Sequence, residues 1–309
     1  MARALAQTLH RLAAIALVGI IGLAGGRLAA AETLPVVTSF SILGDLTKQV
    51  GGDRVEVHSL VGPGADAHVY QPTPGDARLL ARAKLVIVNG LGFEGWIARL
   101  IQSSGYRGGV IVASQGVETL RLAGADADRH AQHGEVDPHA WQDLANARRY
   151  VANIATALAD ADPANRAYYQ ANASRLERQI GTLDAELRST FGSLPAARRK
   201  VVTSHDAFAY FGRAYGIRFL APVGVSSDAE PTAREVGALI RQIRREAIRA
   251  MFIESIADPR LLERISRESG VRIGGTLYSD SLSRPGTPAD TYLGIMRHNA
   301  NALAAALAD

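Results

Sequence analysis

The chain has 309 residues, 47% of them hydrophobic, and no cysteine, so it has enough apolar material for two domains of about 150 residues each. Without cysteine we expect no disulfide, no thiolate metal site and no lipid-attached cysteine. The formal charge of +4 includes three arginines within residues 1–31, which contain no acidic residue, so the remainder lacks the basic charge typical of nucleic-acid-binding proteins.

The N-terminus has the pattern of a secretory signal peptide. Arg3 and Arg11 lie before and at the start of an apolar run, Leu12–Leu23, and small residues follow up to Ala31. This order of basic, apolar and small residues predicts cleavage near Ala31. The alternative is a retained membrane anchor, but the run is shorter than the ~20 residues that span a bilayer. We therefore expect an exported, periplasmic protein.

Strand and helix patterns alternate in the first part of the mature chain, before a polar stretch, Leu122–Glu135, that predicts an exposed loop. The predicted strands are Leu34–Thr38, Val55–Val61, Leu85–Asn89 and Val110–Ala113, and the predicted helices are Ile42–Val50, Asp76–Ala83 and Phe93–Ser103. Such alternation is typical of a parallel α/β sheet with helices on its faces.

Two helices are predicted in the middle of the chain. The first follows Trp141 and ends near Asp160, and the second runs from Pro163 to about Phe191. At ~1.5 Å per residue the second helix is about 40 Å long, the length of a whole domain. We interpret it as a rigid spine.

The alternation then resumes. The predicted elements are Val201–Thr203, Ala207–Ala214, Phe219–Val223, Thr232–Glu246, Ala250–Glu254, Arg260–Ser269, the short segments Val271–Gly274 and Tyr278–Leu282, and a final helix, Thr291–Ala308. The predicted fold class is therefore α/β, with two similar lobes of parallel sheets joined by one long rigid helix. The lobes are residues 32–161 and 193–309, the linker helix is 162–192, and a binding cleft is expected between the lobes, at the carboxyl ends of strands.

Three histidines lie at the edges of predicted elements. His68 is in a loop after a strand, His139 lies at the start of a helix, and His205 follows a strand. One such histidine is commonly a surface or hydrogen-bonded residue, but three with one carboxylate can form a tetrahedral zinc site. Asp280, expected at the end of a strand, is the fourth candidate; spacing alone leaves open that it only caps a turn.

The contexts of these four residues resemble the solute-binding proteins of zinc and manganese ABC transporters, typified by the zinc-uptake receptors and the treponemal metal-binding receptor. The motif at His68 reads His-Val-Tyr-Gln-Pro-Thr-Pro, and that around His139 reads Asp-Pro-His-Ala-Trp. The motif at His205 reads His-Asp-Ala-Phe-Ala-Tyr-Phe, and that around Asp280 reads Tyr-Ser-Asp-Ser-Leu-Ser. The resemblance extends from Val36 to Leu307.

The resemblance implies a periplasmic receptor that binds Zn²⁺ through His68, His139, His205 and Asp280 and delivers it to a permease in the inner membrane. The third ligand is often glutamate in manganese receptors of this family, so His205 favours zinc over the harder manganese. We expect a monomer that is not an enzyme and binds no nucleic acid; whether a zinc metallochaperone loads it stays open. Because ligand histidines must be neutral, affinity is expected to fall as the pH drops through about 6.

Three alternatives remain. A secreted zinc hydrolase would need an open coordination position for water, which Asp280 would fill, and the chain has no His-Glu-x-x-His motif. A manganese receptor would use the same four positions. A surface adhesin is the third alternative, without a specific sequence feature to support it.

Some features carry further expectations. The segment Asp126–Glu135 is either a short capture loop or a plain solvated loop, and Glu135 and Asp206 are suggested to orient the histidines. Gln142 differs from the apolar residue usual in the family and is not expected to touch the metal. The stretch Gly90–Gly95 fits a dinucleotide fingerprint, but the resemblance implies that its glycines only turn the chain into the next helix.

Overall fold

The structure, a computed structural model, describes residues 33–122 and 136–308. The predicted signal peptide and the predicted capture loop, Asp126–Glu135, lie outside these residues. In the described part of the chain, no helix is both long and apolar enough to cross a membrane.

The first half is a parallel sheet with helices between its strands. Its strands are β1 (Leu34–Phe40), β2 (Val55–Val61), β3 (Leu85–Val88) and β4 (Gly109–Val112), and its helices are α1 (Ser41–Gly51), α2 (Pro74–Arg82), α3 (Ile97–Ser104) and α4 (Leu144–Ala161). The long helix α5 (Arg166–Gly192) follows a 3₁₀ turn, Pro163–Asn165.

The second half repeats this arrangement. Its strands are β5 (Lys200–Val202), β6 (Arg218–Leu220), β7 (Ala250–Glu254) and β8 (Arg272–Leu277), and its helices are α6 (Ala209–Tyr215), α7 (Ala233–Arg245), α8 (Arg260–Ser269) and α9 (Tyr292–Ala308).

The two sheets have the same topology. Their strand orders are β2-β1-β3-β4 and β6-β5-β7-β8, and the neighbouring strands pair in parallel. The carboxyl ends of the strands in each sheet therefore meet at one edge, where ligands bind in open α/β sheets. The predicted fold class, two parallel α/β sheets with a long helix between them in sequence, is confirmed.

Helix α5 is part of a core shared by both halves. Its buried residues recur every three or four positions: Tyr169, Asn172, Ala173, Leu176, Ile180, Leu183, Leu187 and Phe191. This stripe packs against α1 and α4 of the first half and against α6 and α9 of the second. This helix of 27 residues connects the two halves covalently. Its buried side chains also pack against helices of both halves.

The predicted helix Phe93–Ser103 begins later than expected, at Ile97. Gly90, Leu91 and Gly92 have φ angles of 82°, 56° and 80°, and left-handed residues cannot begin a right-handed helix. The chain therefore forms a turn of eight residues, 89–96, between β3 and α3.

Strand β8 ends at Leu277, and the segment Tyr278–Leu282 that follows it is irregular because its backbone bonds to side chains. Tyr278 N–H donates to Asn299 Oδ1 (2.9 Å), and Tyr278 O accepts from Asn299 Nδ2 (2.7 Å). Asp280 therefore lies in an irregular segment that follows β8.

This irregular segment is bonded to the first half of the molecule. Leu282 N–H donates to Ser41 Oγ (3.0 Å), and Leu282 O accepts from Gly64 N–H (3.1 Å). At the start of α9, Tyr292 N–H donates to Asp45 Oδ2 (2.7 Å). A carboxylate on α1 thus satisfies an amide at the N-terminus of α9, where negative charge is favourable.

The Asp45 carboxyl makes stability dependent on pH. Burial raises the pKa of Asp45, Asp290 adds to the rise, and hydrogen bonds from Tyr292 and Gln49 offset it in part. A raised pKa in the folded state means that stability is greatest below the pKa of the unfolded chain and is lost as the pH rises through the folded value.

We expect Asp45→Asn to remove this dependence while keeping an oxygen that accepts from Tyr292 N–H. The free energy of unfolding of the wild type, relative to the variant, should fall as the pH rises from about 4 to about 7. Urea denaturation across that range measures it, with the exposed Glu230→Gln as the control. A constant difference between wild type and Asp45→Asn would contradict the role of Asp45.

Candidate metal site

The four residues singled out from the sequence meet in one place. His68, His139, His205 and Asp280 each offer a donor atom, and these atoms all lie within 4.8 Å of one another. Asp280 Oδ2 lies 3.1 Å from Nε2 of both His68 and His205. The Nε2 atoms of His68 and His139 are 3.2 Å apart, and Asp280 Oδ1 lies 3.6 Å from His139 Nε2.

Parallel topology brings these side chains together. His205 lies three residues beyond β5 and Asp280 three residues beyond β8, whereas His68 lies in the loop that follows β2. His139 precedes the 3₁₀ turn Ala140–Gln142, which leads into α4. The side chains are nearly inaccessible: His68 is 4% exposed, His205 3%, and the other two 0%.

Two further carboxylates orient the histidines. His139 Nδ1 lies 2.7 Å from Asp137 Oδ1, and His205 Nδ1 lies 2.6 Å from Glu254 Oε2. A proton on each Nδ1, next to its carboxylate, leaves the Nε2 lone pair facing the cluster, the usual arrangement of ligand histidines.

Glu254, which the sequence analysis did not single out, lies against His205, and the suggested role of Asp206 stays a prediction. Glu135 lies outside the described residues. Glu254 ends β7, the parallel neighbour of β5, so the carboxyl ends of these two strands bring it beside His205. Asp137 could have been found from the sequence, since it lies two residues before His139.

The same carboxylates also bond the backbone of the histidines. Asp137 Oδ1 accepts from His139 N–H (2.9 Å), and Glu254 Oε1 accepts from His205 N–H (2.8 Å). His68 N–H donates to Asp66 Oδ1 (2.8 Å). The backbone N–H of each histidine is therefore bonded to a carboxylate. The rings of His139 and His205 also contact a carboxylate, through Nδ1.

Asp280 is held through the peptide that precedes it. Ser279 O accepts from Trp141 Nε1 (3.0 Å) and from Gln142 Nε2 (2.9 Å). Gln142, the residue that departs from the family pattern, contacts the backbone beside Asp280 and was not expected to reach the metal. Its role is thus to help hold the carboxylate segment.

The charges of the cluster depend on one another. Burial raises the pKa of Asp280, but the charges of His139 and His205 outweigh this and hold it well below its usual range. Burial lowers the pKa of His139, and the charges of Asp280 and Asp137 reverse this and raise it to about 9.

The other two histidines shift in opposite directions. The charges of Glu254 and Asp280 overcome burial and raise the pKa of His205, whereas burial dominates for His68 and lowers its pKa. Because a ligand nitrogen must be unprotonated, a cation would have to displace protons from His139 and His205, and its affinity should begin to fall at a higher pH than the value of about 6 expected from the sequence.

Aromatic rings form one wall of the cluster. The ring of Phe93 lies edge-on to His68, with centroids 4.7 Å apart, and His139 lies against Trp141 at 5.3 Å. A cavity of only about 10 Å³ lies beside His68. The four donor atoms themselves, all within 4.8 Å of one another, are close enough to share a single ion.

Comparison with known proteins gives the same family across almost the whole described chain. Residues 36–306 match the family described as "Zinc-uptake complex component A periplasmic". The chain is 33% identical over 282 residues to the manganese ABC transporter substrate-binding lipoprotein PsaA of Streptococcus pneumoniae, covering 89% of each protein. It is 31% identical over 290 residues to the iron ABC transporter substrate-binding lipoprotein MtsA of Streptococcus pyogenes serotype M1, covering 92% of each.

Solved structures have the same fold. The periplasmic zinc-binding protein TroA of Treponema pallidum superposes with a TM-score of 0.83 at 32% identity, covering 89% of this chain and 99% of TroA. A manganese-bound periplasmic metal-binding protein of Candidatus Liberibacter asiaticus gives a TM-score of 0.79 at 30% identity, covering 89% of this chain and all of that one.

The family consists of solute receptors of ABC transporters and not of enzymes, so the hydrolase alternative is not supported. The fold, the extent of the match and the buried cluster agree. The chain belongs to the zinc-uptake component A family, the metal-binding receptors of ABC transporters.

Proposed function

We propose that this protein binds Zn²⁺ through His68, His139, His205 and Asp280 and delivers it to an ABC permease in the inner membrane. The observation that carries the proposal is the convergence of three imidazole nitrogens and one carboxylate oxygen within 4.8 Å. The ion lies between two lobes, residues 32–161 and 193–309, joined by residues 162–192. The protein acts in the periplasm after removal of residues 1–31.

The distances between the donor atoms support a four-coordinate site. Ligand atoms ~2.0–2.1 Å from Zn²⁺ lie roughly 3.3–3.4 Å apart in a tetrahedron. Asp280 Oδ2 lies 3.1 Å from Nε2 of both His68 and His205. The Nε2 atoms of His68 and His139 are 3.2 Å apart, and His139 Nε2 lies 3.6 Å from Asp280 Oδ1. Small displacements of the side chains would therefore admit the ion.

The ligand types favour zinc as the cargo. Imidazole suits zinc, whereas manganese prefers more oxygen ligands, and the cluster has three nitrogens with one carboxylate. The relatives are named for manganese, iron, zinc or metals in general, so the identity of the ion is the part of the function that these four side chains must decide.

A bound metal ion would link His205 to the other three ligands. Asp280, though it follows β8, lies in a segment bonded to the first half through Ser41, Trp141 and Gln142. His68 and His139 also belong to that half. The ion then connects three ligands anchored to the first half with one, His205, that is anchored to β7 through Glu254.

The first prediction concerns metal content. The mature protein, purified without a histidine tag, loaded and dialysed, should hold about one zinc per chain, and the His68→Ala/His139→Ala/His205→Ala variant should hold none. Elemental analysis measures both. His58→Ala, at a histidine with 47% of its side chain exposed, is the control and should keep its zinc. Zinc retained in the triple variant would overturn the site.

The second prediction concerns the choice of metal. Replacing a nitrogen ligand with oxygen in His205→Glu/Glu254→Gln should lower the preference for Zn²⁺ over Mn²⁺ by about 10-fold or more. Glu254→Gln is included because a second carboxylate at 205 would repel Glu254, and that single variant is the matched control. Competition titrations with a metal indicator give both dissociation constants. An unchanged ratio would contradict selection by ligand type.

The third prediction concerns the carboxylates behind the histidines. Asp137→Asn and Glu254→Gln leave the four donor atoms in place but weaken the orientation of His139 and His205. Each should raise the dissociation constant for zinc roughly 10- to 100-fold. Asp162→Asn is the control, since Asp162 bonds Tyr169 and Asn165. Wild-type affinity in both site variants would exclude this role.

A further inference from the structure

The turn between β3 and α3, residues 89–96, lies beside the cluster and buries the side chains of Asn89, Phe93, Glu94 and Trp96. Gly90, Leu91 and Gly92 are in the left-handed region, which is unfavourable for a residue such as leucine. A Cβ on Gly90 would lie 2.5 Å from Val112 Cγ1, so this position requires glycine. A turn of this kind needs other interactions to hold it.

The side chain of Glu94 supplies them. Its carboxylate is buried, with the residue 5% exposed, and it accepts hydrogen bonds from Asn89 N–H (2.6 Å), Gly90 N–H (3.1 Å) and Ser39 Oγ (2.5 Å). Two of the donors are successive amides of the turn, and the third lies on β1. The carboxylate thus closes the turn and fastens it to the sheet.

From this turn, Asn89 reaches the peptide that precedes His139. Asn89 Nδ2 donates to Pro138 O (3.0 Å), and Asn89 Oδ1 accepts from Tyr150 Oη (2.6 Å). Pro138 O belongs to the same peptide unit as His139 N–H, which donates to Asp137. The peptide that places His139 is therefore held on both sides, by Asn89 and by Asp137.

The same turn also contacts His68, through the ring of Phe93. Phe93, the residue before Glu94, is 2% exposed and lies edge-on to His68, with centroids 4.7 Å apart. It also packs against Phe40 and Trp141, each at 4.9 Å. The position of the turn thus sets the position of the ring against which His68 rests.

We propose that Glu94 is a positioning residue for metal binding: its buried carboxylate fixes the turn that holds His139 through Asn89 and His68 through Phe93. This inference rests on the proposed metal site. Glu94 lies outside the cluster and touches none of its four residues by hydrogen bond in the described structure. The glycine-rich stretch that fits a dinucleotide fingerprint is, on this proposal, a support of the metal site.

The test is Glu94→Gln, which keeps the shape but places an NH₂ group where the carboxylate accepts from a donor. Co²⁺ serves as the probe, because its visible absorption reports the geometry of the ligands. We expect Co²⁺ affinity to fall about 10-fold and the absorption bands to change in position or intensity. Ser39→Ala removes only the hydroxyl that donates to Glu94. It should change the Co²⁺ affinity and the absorption bands in the same direction, by a smaller amount.

A structural control separates positioning from loss of stability. Asn172→Ala removes a buried hydrogen bond to Val50 O in the same half and should lower the unfolding midpoint of the metal-free protein without changing the Co²⁺ spectrum. Wild-type affinity and spectrum in Glu94→Gln and Ser39→Ala would overturn the role of Glu94 alone. If the wild type binds no Co²⁺, the metal site and the role of Glu94 fail together.

Discussion

The close approach of three imidazole nitrogens and one carboxylate oxygen is the constraint on which the structure depends. These atoms lie within 4.8 Å of one another in a region almost closed to water, where unpaired polar groups are costly. Such a cluster persists only if surrounding groups hold each member. In each case the backbone next to the side chain is bonded: the partners are Asp66 for His68, Asp137 for His139, Glu254 for His205, and Trp141 with Gln142 for Asp280.

This framework draws on both halves of the chain. Helix α5 contributes one buried stripe to a core that extends across the two halves, and the segment after β8 bonds to α1 through Ser41 and Asp45. Asp280 is therefore fixed mainly by residues distant in sequence. The carboxylate whose charge balances the three histidines is placed by tertiary packing rather than by its own strand.

The family shares one fold among receptors named for different metals. TroA, named for zinc, and the manganese-bound protein of Candidatus Liberibacter asiaticus superpose on this chain with TM-scores of 0.83 and 0.79. The fold consequently does not decide the ion. The ligand types and the groups that orient them, here the carboxylates of Asp137 and Glu254, are where the choice of metal must lie.

The sequence by itself determined the alternation of strands and helices and the long helix, because periodicity is a property of short stretches. The candidates His68, His139, His205 and Asp280 came from the resemblance of their local motifs to a known family. Only the tertiary structure decided which side chains stand behind the histidines. Glu254 reaches His205 because parallel strands end side by side, and strand order cannot be derived from local pattern. The irregular segment around Asp280 escaped prediction for the same reason: its backbone bonds go to side chains far away in the chain.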